Sequence, residues 1–73
     1  MIGRIIAEMR RASGMKQGEL ASKVGIALST LSGYETGNSQ PNFDTVNKIA
    51  QECEFELIFR DKNSGEEIES KVQ

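Results

Sequence analysis

Glycines at positions 14, 25 and 37 punctuate the first half of the chain, and between them apolar residues recur at helical spacing, so this half reads as a series of short helices. Before the first of them, apolar residues at 2, 5, 6 and 9 mark one helix face, and Gly14 after Ser13 is the left-handed stop that a helix C-terminus favours. A second helix is predicted from Gln17 to Val24 with Leu20, Ala21 and Val24 inward, closed at once by Gly25. A third runs from about Leu28 to Glu35, buries Leu31 and Tyr34, and ends at Gly37. The segment from Asn38 to Asn42, with Pro41, is a loop by composition. Phe43, Val46, Ile49 and Ala50 then define a fourth helix from Phe43 to Cys53, with Asp44 in the first turn, where the helix dipole favours an anion.

After residue 53 the period changes from helical to alternating. Phe55, Leu57 and Phe59 alternate with polar residues, apart from Ile58, which predicts a strand over 54–60. A turn follows at Asp61 to Gly65, and Glu67 to Val72 alternates again as a second strand. The expected fold is mostly α: a four-helix bundle in residues 1–53, followed by a C-terminal β-strand or hairpin in 54–73. Two strands alone are marginal in water. The apolar face of Phe55, Leu57 and Phe59 therefore needs cover, either from the same element of a second subunit or from the chain's own helices.

A chain of 73 residues supports one core, and domains this small commonly need a staple. Cys53 is the sole cysteine and histidine is absent, so an intrachain disulfide and a Cys/His zinc site are both excluded. Dimerisation is the remaining way to add buried apolar area. A lone thiol fits a reducing cytoplasm. No apolar run approaches the roughly 18 residues of a membrane span, and Arg4, Glu8 and Arg10 interrupt any signal-peptide-like stretch. The expectation is a cytoplasmic protein with no membrane partner. The net charge of −2 conceals an asymmetry. Residues 1–48 carry six basic and four acidic groups, net +2, whereas residues 49–73 carry three basic and seven acidic, net −4. Two regions with different partners are the expectation. No base stands ready for the Cys53 thiol, no glycine-rich phosphate loop occurs, and the tail carboxylates lack metal-loop spacing. Neither an enzyme nor a cofactor or metal site is expected.

The stretch from Gln17 to Gly37 holds two short helices around a glycine turn, with Ala21 small where they cross and Val24 and Leu31 between them. That geometry can present its second helix to a DNA major groove. Here the sequence resembles the lambdoid phage repressor and Cro family, the XRE-like helix-turn-helix proteins. The resemblance runs from residue 2 to about 57, through Arg10, Gln17, Glu19, Leu20, Ala21, Gly25, Leu31, Ser32, Glu35, Gly37, Pro41, Ile49 and Ala50.

The resemblance implies a helix bundle with a recognition helix at 28–35 and a structural ion pair between Arg10 and Glu35. It places Gln17 against a DNA phosphate at a helix N-terminus and puts Leu28, Ser29, Ser32 and Gly33 at the base-reading positions. Long amide or basic side chains are commoner there. In this chain Leu28 can meet a thymine methyl and the serines can bond several bases, whereas Gly33 has nothing to read with. Ala27 replaces the usual hydroxyl cap, costing about 1 kcal/mol. The implied phosphate contacts are the cations Arg11, Lys16 and Lys23, with Thr36 and Asn38 as neutral donors. The implied function is a non-enzymatic transcriptional regulator, a homodimeric repressor reading an inverted repeat in double-stranded DNA. The strand after the fourth helix resembles HipB-like antitoxins, so a toxin protein is a further expected partner, one that the acidic tail suits. A protein-interaction module that keeps the fold without binding DNA stays open, favoured by Ala27, Leu28, Gly33 and the acidic balance.

Overall fold

The computed structural model describes residues 1–70 as four helices and a hairpin: α1 (Ile2–Ala12), α2 (Gln17–Val24), α3 (Leu28–Thr36), α4 (Phe43–Glu52), β1 (Leu57–Arg60) and β2 (Glu67–Ser70). Lys71 and Val72, assigned above to the second strand, lie outside the described residues. The mostly α architecture with a C-terminal hairpin is as expected. Helix boundaries shift by a residue: α3 runs on to Thr36, and Cys53 caps α4 rather than belonging to it.

Ile6, Met9, Met15, Leu20, Ala21, Val24, Leu31, Ile49, Ala50 and Cys53 form the core, with Ile2, Ile26, Tyr34 and Leu57 packed at its margin. Leu20, Ala21, Val24 and Leu31 face inward as predicted. Ile5 does not. The buried line of α1 is Gly3, Ile6, Ala7 and Met9, and Ile5 falls off its edge with 46% of its surface exposed. A stripe drawn at 2, 5, 6 and 9 was one residue too wide on that flank, because Gly3 and Ala7 carry the contact on the other.

Gly3 sits where α1 crosses the end of α3. A Cβ there would collide with the Tyr34 carbonyl oxygen and stand 3.0 Å from that of Glu35. The absence of a side chain thus lets two backbones approach.

Two helix ends use the same closing geometry with different residues. At α1 the Gly14 N–H donates to the Arg11 carbonyl (3.0 Å) and the Met15 N–H to that of Arg10 (3.2 Å), with Gly14 at φ 77°. At α4 the Glu54 N–H donates to Gln51 (3.0 Å) and the Phe55 N–H to Ala50 (2.7 Å), with Glu54 at φ 62°. Both are Schellman closures, and Glu54 takes the left-handed position normally given to glycine. Closing α4 consumes Phe55, so β1 begins at Leu57 rather than at 54. The expected strand start is corrected accordingly.

The hairpin is antiparallel, with Leu57 opposite Ser70, Ile58 opposite Glu69, Phe59 opposite Ile68 and Arg60 opposite Glu67. Leu57 packs on the core, and the Phe59 ring lies 6.1 Å from that of Phe43 on α4. One face of β1 therefore returns to the chain's own helices. Phe55, Ile58, Phe59 and Ile68 nevertheless remain largely exposed.

Two of the helical glycines, Gly3 and Gly18, should respond oppositely to a methyl group. Gly3→Ala must push α1 off α3 and should lose about 1–3 kcal/mol. Gly18→Ala enters open space in α2 and should gain about 0.5–1 kcal/mol. Urea denaturation of the two variants, with equal losses as the contradicting result, checks this crossing.

Candidate nucleic-acid interface

Arg10 reaches from α1 to α3 and pairs with Glu35 in a forked arrangement: Nε to Oε2 at 2.7 Å and Nη2 to Oε1 at 3.1 Å. Its third donor, Nη1, bonds the Met15 carbonyl at 3.0 Å. The two side chains are only 13% and 6% exposed. A buried pair of this kind needs its remaining donors and lone pairs satisfied. The Gln17 amide does so from α2, donating Nε2–H to Glu35 Oε1 at 2.9 Å. Three helices thus meet on one carboxylate. Burial pushes the Glu35 carboxyl up, but hydrogen bonds from Arg10 and Gln17 and the charges of Arg10 and Arg11 outweigh it and hold the group below the usual carboxylate range. The hydrogen bonds it donates to Glu35 raise the Arg10 guanidinium in turn, against its own desolvation.

With α3 held in this way, its outer edge is open. Leu28 is 52% exposed, Ser29 is exposed, and Ser32 and Gly33 are partly so. Ala27 precedes the helix and supplies no capping side chain, and the first turn carries no acidic residue. Gly33 has a neighbour that sequence reasoning passed over. The Ser39 N–H donates to the Gly33 carbonyl (3.2 Å), and the Ser39 hydroxyl lies 2.9 Å from where a Cβ at 33 would be. The available signal was Gly33 itself, since a glycine within a helix commonly marks a close approach.

The expected phosphate contacts separate into two groups. Arg11 and Lys16 are exposed, and Gln17 is half-buried at the α2 N-terminus with one amide hydrogen committed to Glu35. Lys23 instead lines a cleft with Glu19, Glu52 and Glu54. The Thr36 hydroxyl turns back to donate to the Ser32 (3.0 Å) and Gly33 (3.3 Å) carbonyls, while Asn38 is exposed in the loop. Cys53 is buried, with its thiol raised by desolvation. Among the described residues no His, Cys, Asp or Glu grouping could hold a metal ion, and no helix is long and apolar enough to cross a membrane.

Two short helices packed around a glycine turn, with the second latched to the first helix and its outer edge open, are what a helix-turn-helix family model matches over residues 6–58. The chain belongs to the helix-turn-helix family. Among its relatives is the antitoxin HipB of Escherichia coli K12, 35% identical over 60 residues, which cover 81% of this chain and 68% of that protein. The RstR transcriptional repressor of the cryptic CTXphi phage in Vibrio cholerae is 31% identical over 52 residues, covering 71% of this chain and 46% of its own. Human endothelial differentiation-related factor 1 is 31% identical over 68 residues, 93% of this chain, and this chain spans only 45% of its length. No solved structure gives a significant match. The helix-turn-helix assignment accounts for the resemblance noted at Arg10, Gln17 and Glu35, which the fold brings to the α1–α2–α3 junction, and at Gly25, which closes α2.

Because its folded pKa is depressed, Glu35 adds stability that is fully present above its unfolded value near pH 4.3 and is lost as pH falls through the lower folded value. Glu35→Gln should cost about 3 kcal/mol at pH 7. The gap from wild type should narrow as pH falls below about 4. Urea midpoints of both proteins between pH 7 and 2.5 check this, and a pH-independent gap would contradict it.

Proposed function

We propose that the chain is a sequence-specific, double-stranded DNA-binding transcriptional regulator that acts as a homodimer. The observation that carries this reading is the Arg10–Glu35–Gln17 junction. It fixes α3 against α1 and the α2 N-terminus while leaving Leu28, Ser29 and Ser32 open to a groove. Within this reading those residues, with Gly33 as a gap covered by Ser39, face base edges. Arg11, Lys16, Gln17 and Asn38 position the backbone. Lys23 stands beside Glu19, Glu52 and Glu54, and the Thr36 hydroxyl, bonded to carbonyls of its own helix, contributes only if it is released. Relatives named as a repressor and as an antitoxin support the regulatory reading.

Dimerisation supplies the cover that the hairpin lacks. Phe55, Ile58, Phe59 and Ile68 expose apolar surface, and Phe55 and Leu57 border an open groove with Ile5 and Met9 of α1. A second copy seated on this surface would bury it, with Leu57 contributing least because it already packs on its own core. In a two-fold dimer the recognition helices would enter successive major grooves about 34 Å apart, and the site would be an inverted repeat. Repression by covering the operator follows from that arrangement.

The acidic hairpin favours a second reading, in which the regulator is also the antitoxin of a toxin–antitoxin pair. Glu54, Glu56, Asp61, Glu66 and Glu67 lie exposed on the part of the chain farthest from the α2–α3 edge in sequence. A basic protein surface is the partner they suit.

Selection from random 30-base-pair duplexes, followed by binding at graded salt, tests the main reading. An inverted repeat should be enriched, with log affinity falling against log salt at a slope of about −4 for two cations per protomer. Phe55→Asp with Phe59→Asp should give a folded monomer in sedimentation and abolish selection of the repeat. No duplex retained at low salt would overturn DNA binding, and a dimer untouched by the two aspartates would overturn the hairpin's role.

A further inference from the structure

We propose that the reading face recognises thymine through its C5 methyl group at Leu28, so that each half-site of the bound duplex carries thymine at one fixed position. This inference rests on the DNA-binding reading above and names what that site discriminates.

The chemistry of the α3 edge leaves little else to discriminate with. Guanine is read by a guanidinium or ammonium on O6 and N7, adenine by an amide on N6 and N7, and cytosine by a carboxylate on N4. None of those groups occurs at 28, 29, 32 or 33. Ser29 and Ser32 carry hydroxyls, which donate or accept with equal ease and so separate bases weakly. The gap at Gly33 is filled by the Ser39 hydroxyl, another group of the same kind. Leu28 is the exception. It stands at the first position of α3 with half its surface in solvent and only small side chains, Ala27 and Ser29, beside it in the chain. Thymine alone among the four bases offers an apolar group in the major groove. Against the amino group of cytosine or adenine, a leucine would instead strip water from a donor and return no bond.

A protein partner is the competing occupant for Leu28, and the distribution of apolar surface argues against it. Most of the other exposed large apolar residues lie at the hairpin and the α1 groove, at Ile5, Phe55, Ile58, Phe59 and Ile68. Leu28 stands among serines, with the uncapped start of α3 and no carboxylate in that turn to repel a phosphate. A lone leucine in polar surroundings suits a single methyl group better than a hydrophobic interface.

The test uses the duplex enriched from random sequence, remade with deoxyuridine replacing thymidine at one position at a time. This removes the methyl and leaves base pairing intact. One symmetric position should stand out, with affinity falling about fourfold per half-site, the worth of one buried methyl-sized group. In Leu28→Ala the unmodified duplex should bind correspondingly more weakly, and the deoxyuridine penalty at that position should vanish. Leu28 is exposed, so circular dichroism should show the variant folded as the wild type. Binding that ignores the methyl everywhere, or a penalty that persists in Leu28→Ala, overturns this inference while leaving DNA binding in place. Failure to bind any duplex overturns both together.

Discussion

Arg10 and Glu35 are separated by 25 positions in the chain, and almost everything that makes this small bundle usable depends on their meeting. The α1–α3 contact brings two opposite charges into a nearly dry site, a placement that is costly unless every donor and lone pair is used. Here every nitrogen and oxygen of the two side chains has a partner: Arg10 places Nη1 on the Met15 carbonyl, and Glu35 takes a further hydrogen bond from Gln17. No buried side-chain nitrogen or oxygen among the described residues lacks a partner. The pair therefore acts as a register device, since sliding α1 along α3 by one residue would leave two buried charges unpaired. Gly3 serves the same crossing from the apolar side, by letting α1 lie directly on the α3 carbonyls.

That junction also divides the molecule's work. On one side it orients the α3 edge and the α2 N-terminus, where the surface is hydroxyl-rich, weakly basic and almost free of long side chains. On the other side the chain leaves the bundle as a hairpin that exposes Ile58, Phe59 and Ile68 and carries several exposed carboxylates. The cross-strand Arg60–Glu67 pair at 2.7 Å is solvent-exposed and adds little stability. The hairpin is held instead by Leu57 on the core and by Phe59 against Phe43. It is therefore anchored at its base and uncovered beyond. The charge asymmetry between residues 1–48 and 49–73 is this same division written in composition.

The helices were legible because their stops are glycines and their faces are periodic. Gly14, Gly25 and Gly37 adopt positive φ where the apolar pattern pauses. The end of α4 was less legible, since Glu54 takes the same conformation without the residue that advertises it, and Phe55 looked like the first residue of a strand. Ile5 was misplaced because Gly3 and Ala7, too small to register as apolar markers, carry the buried face of α1. At the site, the resemblance anticipated the Arg10–Glu35 pair, and the structure brings the two together. It could not show that Gln17 completes the pair, that Thr36 turns inward, or that Ser39 folds over Gly33. The Gln17 and Ser39 contacts join segments whose distance only the fold sets, and the Thr36 bond is a rotamer choice within α3.

We propose that the edge of α3, held by the junction, is the surface that meets DNA. Amide chemical shifts of the labelled protein, followed while its selected duplex is added, test this residue by residue. The largest changes should fall at 28–33, at 16–18 and at 38–39, with 66–69 of the hairpin unmoved. Changes concentrated on the hairpin and the α1 groove, with the α3 edge silent, would contradict it.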